Sequence, residues 1–280
     1  MTYVLFDIGG TKTRVAVSED LETLSKHESF KTPASASEGV EKLVKLAEKL
    51  AAGNEITAFA GGIRGPLNED KTGIENDSIL KKWIGKSIVA EIKKKYDVPV
   101  FLENDAALAG VGEAIFGAGK GADIVAYHTV STGVGGAKIE SGDIDVTTIG
   151  FEPGHQIIDV DRTILGEDMQ PTLENVVSGT AVKQRFGVEP YEIPQSDVLW
   201  DELAEYLAQG LCNTIMYWSP EVIVLGGSMI LGDPKIPIDP IRKYTVEALD
   251  GFEASPLITL AKLGDEAGLY GAMGILKKRL

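Results

Sequence analysis

Two strand-turn-strand units closed by glycines constrain this chain more than any other feature. Tyr3 to Ile8 is a β-branched and aromatic run that ends at Gly9 and Gly10, and Thr13 to Val17 alternates again, which reads as a strand, a tight glycine turn and a second strand. The unit recurs where Asp123 to Thr132 forms a strand-like run, Gly133, Gly135 and Gly136 make the turn, and Ala137 to Glu140 resumes as strand. Two copies predict a duplicated lobe. The sequence holds 32 glycines in 280 residues, above the usual roughly 7%, so their placement carries information.

The rest of the chain reads as strands alternating with helices. Val40, Leu43, Val44, Ala47 and Leu50 recur at helical spacing after a candidate cap at Ser37, and Ile56 to Ala60 is a buried-strand run. A helix with Ile88, Val89 and Ile92 on its apolar face precedes a strand over Val98 to Leu102. Leu203, Leu207, Leu211, Ile215 and Trp218 line one face of a long helix, followed by strands over Val222 to Leu225 and Leu257 to Leu260. This alternation predicts an α/β chain with mixed sheets. A first lobe is expected over residues 1–110 and a second over 111–265, with a glycine-rich terminal helix over 266–280 packing back on the first.

Composition removes several function classes. Lys plus Arg number 27 against 42 Asp plus Glu, a formal charge of −15, and a surface this acidic repels nucleic acid and anionic membranes unless basic residues cluster. No such cluster is visible. Cys212 is the only cysteine, which excludes an intramolecular disulfide and fits a reducing compartment. Met1 leads straight into a strand-like run and no apolar stretch is long enough to span a bilayer, so a cytoplasmic location is expected.

Glycine turns bind phosphate because the missing side chains let backbone N–H groups approach the oxygens. The Walker pattern is absent, since Asp7-Ile8-Gly9-Gly10-Thr11-Lys12-Thr13 joins two strands instead of feeding a helix. Gly117-Ala118-Gly119-Lys120-Gly121 precedes a strand, the wrong order for a dinucleotide site. One glycine pair reads equally as a hairpin turn. The second loop, Ser131-Thr132-Gly133-Val134-Gly135-Gly136, shifts the balance, because two such hairpins can clasp a polyphosphate. Asp7 adds a carboxylate suited to a hydrated magnesium ion, which keeps several waters and takes few protein ligands.

Asp-Ile-Gly-Gly-Thr-Lys at 7–12, Glu103-Asn104-Asp105 closing a strand, the 131–136 loop and Glu152-Pro153-Gly154-His155 together resemble the ROK family of sugar kinases, over nearly the whole chain and in the same order. The resemblance implies a two-lobed actin-like ATPase (ribonuclease H-like) fold with an interlobe cleft that closes on the sugar. It implies transfer of the γ-phosphoryl group of ATP to the 6-hydroxyl of a hexose. Asp105 is then the general base, a carboxylate at a helix start, with a capping role as the alternative. Gly65, Asn76, Asn104, Glu152, His155 and Glu174 are expected to contact the sugar, with an exposed helical glutamate the alternative for Glu174. Gly9, Gly10, Thr11, Lys12, Thr132, Gly133 and Gly135 are expected at the phosphates, Gly226 and Gly227 at the adenosine, and Asp7 at magnesium through water.

The chain departs from the family pattern in one place. Most members follow the Gly-His pair with a cysteine-rich segment that binds zinc, whereas residues 159–172 hold no cysteine here. Asp161, Glu167, Asp168 and His155 are a poor set for a borderline-soft ion, so no zinc is expected. Glucose is the first expectation for the acceptor, with fructose, mannose or an N-acetylhexosamine as alternatives, and polyphosphate remains open as a donor. The same family contains transcriptional repressors, but with the phosphate loop starting at Asp7 no DNA-reading module is expected. A sugar-binding protein that has lost catalysis is the remaining reading, and a homodimer is the expected assembly.

Overall fold

A computed structural model describes residues 1–147, 150–252 and 256–280. They divide into two compact units, Met1–Phe116 with Asp265–Leu280, and Gly117–Gly264.

The first unit is built on a five-stranded sheet. Its strands are β1 (Thr2–Ile8), β2 (Lys12–Ser18), β3 (Glu28–Lys31), β4 (Ile56–Ile63) and β5 (Val100–Asn104), in the order β3-β2-β1-β4-β5. β1 and β2 form the antiparallel hairpin, and β4 and β5 run parallel to β1. α1 (Ala36–Ala51) and α2 (Ile88–Lys93) cover one face; α3 (Asp105–Ile115) and α9 (Ala267–Arg279) pack against each other and against β4. β1 is buried on both faces, with Val4, Leu5, Phe6 and Ile8 fully inaccessible, as expected for a strand covered by helices on both sides.

Close packing decides where small residues stand. A Cβ on Gly39 of α1 would lie 2.4 Å from the Trp83 ring, which is buried and donates its Nε1–H to the Pro33 carbonyl at 3.0 Å. Burial of an aromatic of this size is worth a few kcal/mol provided its N–H is satisfied, as here. A Cβ on Gly271 would lie 1.8 Å from the Leu108 carbonyl oxygen, so α9 and α3 touch backbone to backbone at that point.

The second unit repeats the arrangement. β6 (Ile124–Val130), β7 (Val134–Glu140), β8 (Asp143–Ile144), β9 (Val222–Gly226) and β10 (Leu257–Leu260) order as β10-β9-β6-β7-β8. The hairpin is again followed, through helices, by two strands parallel to its first strand. The helices are α4 (Leu173–Val177), α5 (Gly179–Phe186), α6 (Leu199–Trp218), α7 (Ser228–Leu231) and α8 (Ile238–Ala248). The core gathers on α6 through Leu203, Leu207 and Leu211, with Trp200, Ile223 and Leu225.

Two local expectations shift. Ser35, not Ser37, is the residue before α1, and its hydroxyl makes no capping bond; the helix starts early enough to place Gly39 against Trp83. The strand expected at 98–102 runs from Val100 to Asn104, because its pairing with Phe59 to Ile63 sets the register.

Candidate active site

In the first unit, three parallel strands end level. Asp7 pairs with Gly62 and Ile8 with Ile63; Gly62 in turn pairs with Glu103 and Ile63 with Asn104. The segments that leave these ends, Gly9-Gly10, Arg64-Gly65 and Asp105, therefore share one edge of the sheet. In open α/β sheets this carboxyl edge is where ligands bind.

The first turn is held by its neighbours. Gly9 donates its N–H to the Lys12 carbonyl at 3.0 Å, and the Thr32 hydroxyl donates to the Gly9 carbonyl at 2.8 Å. Thr11 and Lys12 are exposed on the turn. Asp7, at the end of β1, is 16% exposed in its side chain and receives Arg14 Nη1 on Oδ2 at 3.2 Å, while Arg14 Nη2 donates to Asp265 at 2.6 Å. Burial pushes the Asp7 carboxyl up to about 6; the negative charge of Asp105 adds to this and Arg14 opposes it.

Asp105 opens α3, but the cap of that helix is Asn104. The Asn104 Oδ1 accepts the Ala107 N–H at 3.1 Å and its Nδ2 donates to the Gly65 carbonyl at 3.2 Å. Asp105 Oδ1 accepts the adjacent Ala106 N–H at 2.8 Å. Desolvation pushes the Asp105 carboxyl up, while the Ala106 N–H and the nearby Arg64 charge pull it down. Gly65 has φ +94°, and a Cβ there would sit 2.8 Å from the Asn76 carbonyl oxygen, so Gly65, Asn76 and Asn104 are brought together.

The second unit carries a parallel construction. Ser131 N–H donates to the Gly133 carbonyl at 2.8 Å to close the turn, and the Gly179 and Thr180 N–H groups of α5 donate to the carbonyls of Ser131 and Thr132. Glu174 of α4 is not the freely exposed glutamate of the alternative reading. Its Oε2 accepts the Val134 N–H at 2.7 Å, and a Cβ on Gly133 would lie 2.6 Å from the same oxygen. Gly135 pairs with Thr129 in the hairpin, and Thr129 with Gly226 at the end of β9. Gly227 follows with φ +89°, where a Cβ would stand 2.2 Å from the Val130 carbonyl, and Ser228 Oγ is 3.0 Å from Ser131 Oγ.

Glu152 and His155 lie on a 3-10 turn over Pro153–His155, pressed on the hairpin: a Cβ on Gly154 would be 2.4 Å from the Val134 carbonyl. Both side chains are exposed. Partial burial raises the Glu152 carboxyl, His155 lowers it and Glu174 raises it, so the three share one electrostatic neighbourhood. The loop that follows is held by side chains. Asp159 is buried and accepts the N–H groups of Ile164 and Leu165, while Arg162 Nη1 reaches the Met169 carbonyl at 2.6 Å. Among the described residues no group of three or more His, Cys, Asp or Glu is placed to hold a metal.

Sequence reasoning missed Arg14, Arg64 and Thr32. Arg14 lies within β2 and Arg64 just after β4, with no periodic pattern to mark them; the partner of Arg14 is Asp7 on the neighbouring strand, and that of Arg64 is Asp77 in the loop that follows.

The order and spacing of these segments match the ROK family over residues 3–279. The chain belongs to the ROK family. A fructokinase of Lactococcus lactis subsp. cremoris is 28% identical over 260 residues, covering 89% of this chain and 86% of that protein. The ROK hexokinase of Thermus thermophilus superposes with a TM-score of 0.84 at 28% identity, covering 100% of this chain and 99% of that one. The ROK family glucokinase of Streptomyces griseus, in complex with glucose and AMPPNP, gives 0.78 at 25% identity, covering 99% and 100%. With its two mixed sheets and flanking helices, this ROK chain has the actin-like ATPase fold expected from its sequence.

Proposed function

We propose that this chain is an ATP-dependent hexose kinase that phosphorylates the 6-hydroxyl of its sugar, with glucose as the preferred acceptor. The observation that carries the reading is the placement of the Asp105 carboxylate at the start of α3, on the same sheet edge as the Gly9-Gly10 turn. The kinase relatives named above, one of them a glucokinase in complex with glucose and AMPPNP, support the sugar and nucleotide classes. The Lactococcus fructokinase makes fructose the second candidate acceptor. By resemblance the enzyme works as a cytoplasmic homodimer.

In this reading Asp105 takes the proton of the sugar hydroxyl as its oxygen bonds to the γ-phosphorus and the bond to the β-phosphate oxygen breaks, releasing ADP. Desolvation favours this role, because a base whose pKa is raised toward neutrality accepts the proton with a smaller penalty. The Gly9-Gly10 and Ser131–Gly133 turns offer backbone N–H groups to the phosphates, with Thr11, Lys12, Thr132 and Gly135 beside them, and Gly226-Gly227 receives the adenosine. By resemblance, Gly65, Asn76, Asn104, Glu152, His155 and Glu174 are the residues that contact the sugar. Asp7 fits a magnesium ion held through water, since it is a hard oxygen donor whose recorded partner, Arg14, engages only Oδ2. Bound there, magnesium would neutralise charge on the phosphates.

The test is ADP release from magnesium-ATP across a panel of hexoses and amino sugars. Glucose is expected to give the highest kcat/KM and a sugar 6-phosphate product. Absence of sugar-dependent ADP release on every member would leave a binding protein instead.

A further inference from the structure

Arg64 occupies a position that neither the sequence motifs nor the roles above use. It follows β4 directly, between the ends of β1 and β5, and its N–H donates to the Ile8 carbonyl at 3.2 Å. Its Nε donates to Asp77 Oδ2 at 2.7 Å; the Asp77 side chain is only 4% exposed, and its Oδ1 accepts the N–H groups of Ile79 and Leu80. The anchor is therefore fixed, and the guanidinium hangs from it by one of its five donors.

The other end of the fork lies over the glycine turn. Nη1 stands 3.1 Å from where a Cβ on Gly10 would be. Arg64 also lowers the Asp105 carboxyl, so its charge reaches the base as well. Its side chain is 31% exposed, and among the described residues Asp77 is its recorded hydrogen-bond partner. Arg14 differs, because both of its Nη groups are engaged by Asp7 and Asp265. A purely structural Arg64–Asp77 pair would account for Nε, but not for placing the remaining donors between a phosphate-type turn and a carboxylate.

We propose that Arg64 is a catalytic residue of the transfer step, its Nη groups donating to the oxygens of the γ-phosphoryl group as that group passes from ATP to the sugar hydroxyl. The proposal rests on the kinase reading and adds a residue to it. Phosphoryl transfer is accelerated mainly by positioning and by positive charge placed where negative charge spreads in the transition state, and a guanidinium fork matches phosphoryl oxygens in geometry. The anchor at Asp77 spares the side chain the entropy of searching for that position.

The experiment compares wild type, Arg64→Ala, Arg64→Lys and Asp105→Asn by kcat, by KM for sugar and ATP, and by thermal melting. Arg64→Ala is expected to melt cooperatively, lose about 10²–10³-fold in kcat and keep its sugar KM within about threefold. Free guanidinium at millimolar concentration should restore part of that rate, which a lost structural contact would not allow. If Arg64→Ala fails to fold, Arg64→Lys carries the test: it keeps the charge, loses the fork, and should fall about tenfold or more in kcat. A kcat within about threefold of wild type in the folded variants, or a loss confined to sugar KM, would overturn the proposal. A wild type without sugar-dependent ADP release would instead overturn the kinase reading, and Arg64's role with it.

Discussion

Asp7 shows at the residue scale how a buried carboxylate costs stability. Its carboxyl is raised from 3.8 to about 6 by burial and by Asp105, so the folded chain binds this proton more tightly than the unfolded one. Stability from this group is then greatest at low pH and falls as pH rises from about 4 through about 6, by up to about 3 kcal/mol at roughly 1.4 kcal/mol per unit. Asp7→Asn is expected to raise the melting temperature at pH 7.5 more than at pH 5, while turnover falls; calorimetry at the two pH values checks it. An equal change at both would mean the charge is not strained. The motif residues Asp7 and Asp105 were legible because their types and spacing are local. Arg64 was not, since its meaning depends on Gly10 and Asp77, which the fold brings to it.

At the scale of elements, segments with a clear apolar pattern were legible, down to the four-residue β10 and the six-residue α2, and segments without one were not. α6 shows apolar positions every three or four residues, so periodicity identifies it, whereas β6 and β9 are short runs rich in apolar and β-branched residues that end near glycines. α8 carries Pro240 in its first turn and buries only Ile241 and Thr245, a pattern too sparse to read. α4 and α5 meet at Ser178, which ends one and caps the other through the Ala181 N–H. The glycines of the terminal helix did announce close packing, and Gly271 is the sharpest case. Gly271→Ala would drive a methyl group into the Leu108 carbonyl, 1.8 Å away. The α3–α9 pair must then separate, at a cost of about 1–3 kcal/mol or more. Chemical denaturation should show that loss, and an unchanged midpoint would mean the helices do not touch backbone to backbone.

For the whole molecule, the two glycine hairpins announced a duplication, and both sheets do carry the same order: a hairpin flanked by two parallel strands. The terminal helix expected over 266–280 is α9, and since it packs on α3 and the sheet, residues 265–280 complete the first unit from far along the chain. The charge of −15 also belongs to this scale. An acidic chain whose proposed phosphate contacts are mostly backbone N–H groups, with only Lys12 and Arg64 as cationic side chains, gains little from long-range attraction, and salt screens the repulsion beyond a Debye length of about 10 Å at 0.1 M. The KM for ATP is therefore expected to fall or hold within about twofold between 20 and 200 mM KCl, whereas a roughly tenfold rise would mean a basic site binds the phosphates. The central claim is that Asp105 is the base of a sugar kinase, and Asp105→Asn measured by kcat and by sugar Kd tests it most directly. A loss of about 10²–10⁴-fold in kcat with sugar affinity nearly unchanged is the predicted result. Near-wild-type turnover by the folded variant would contradict it.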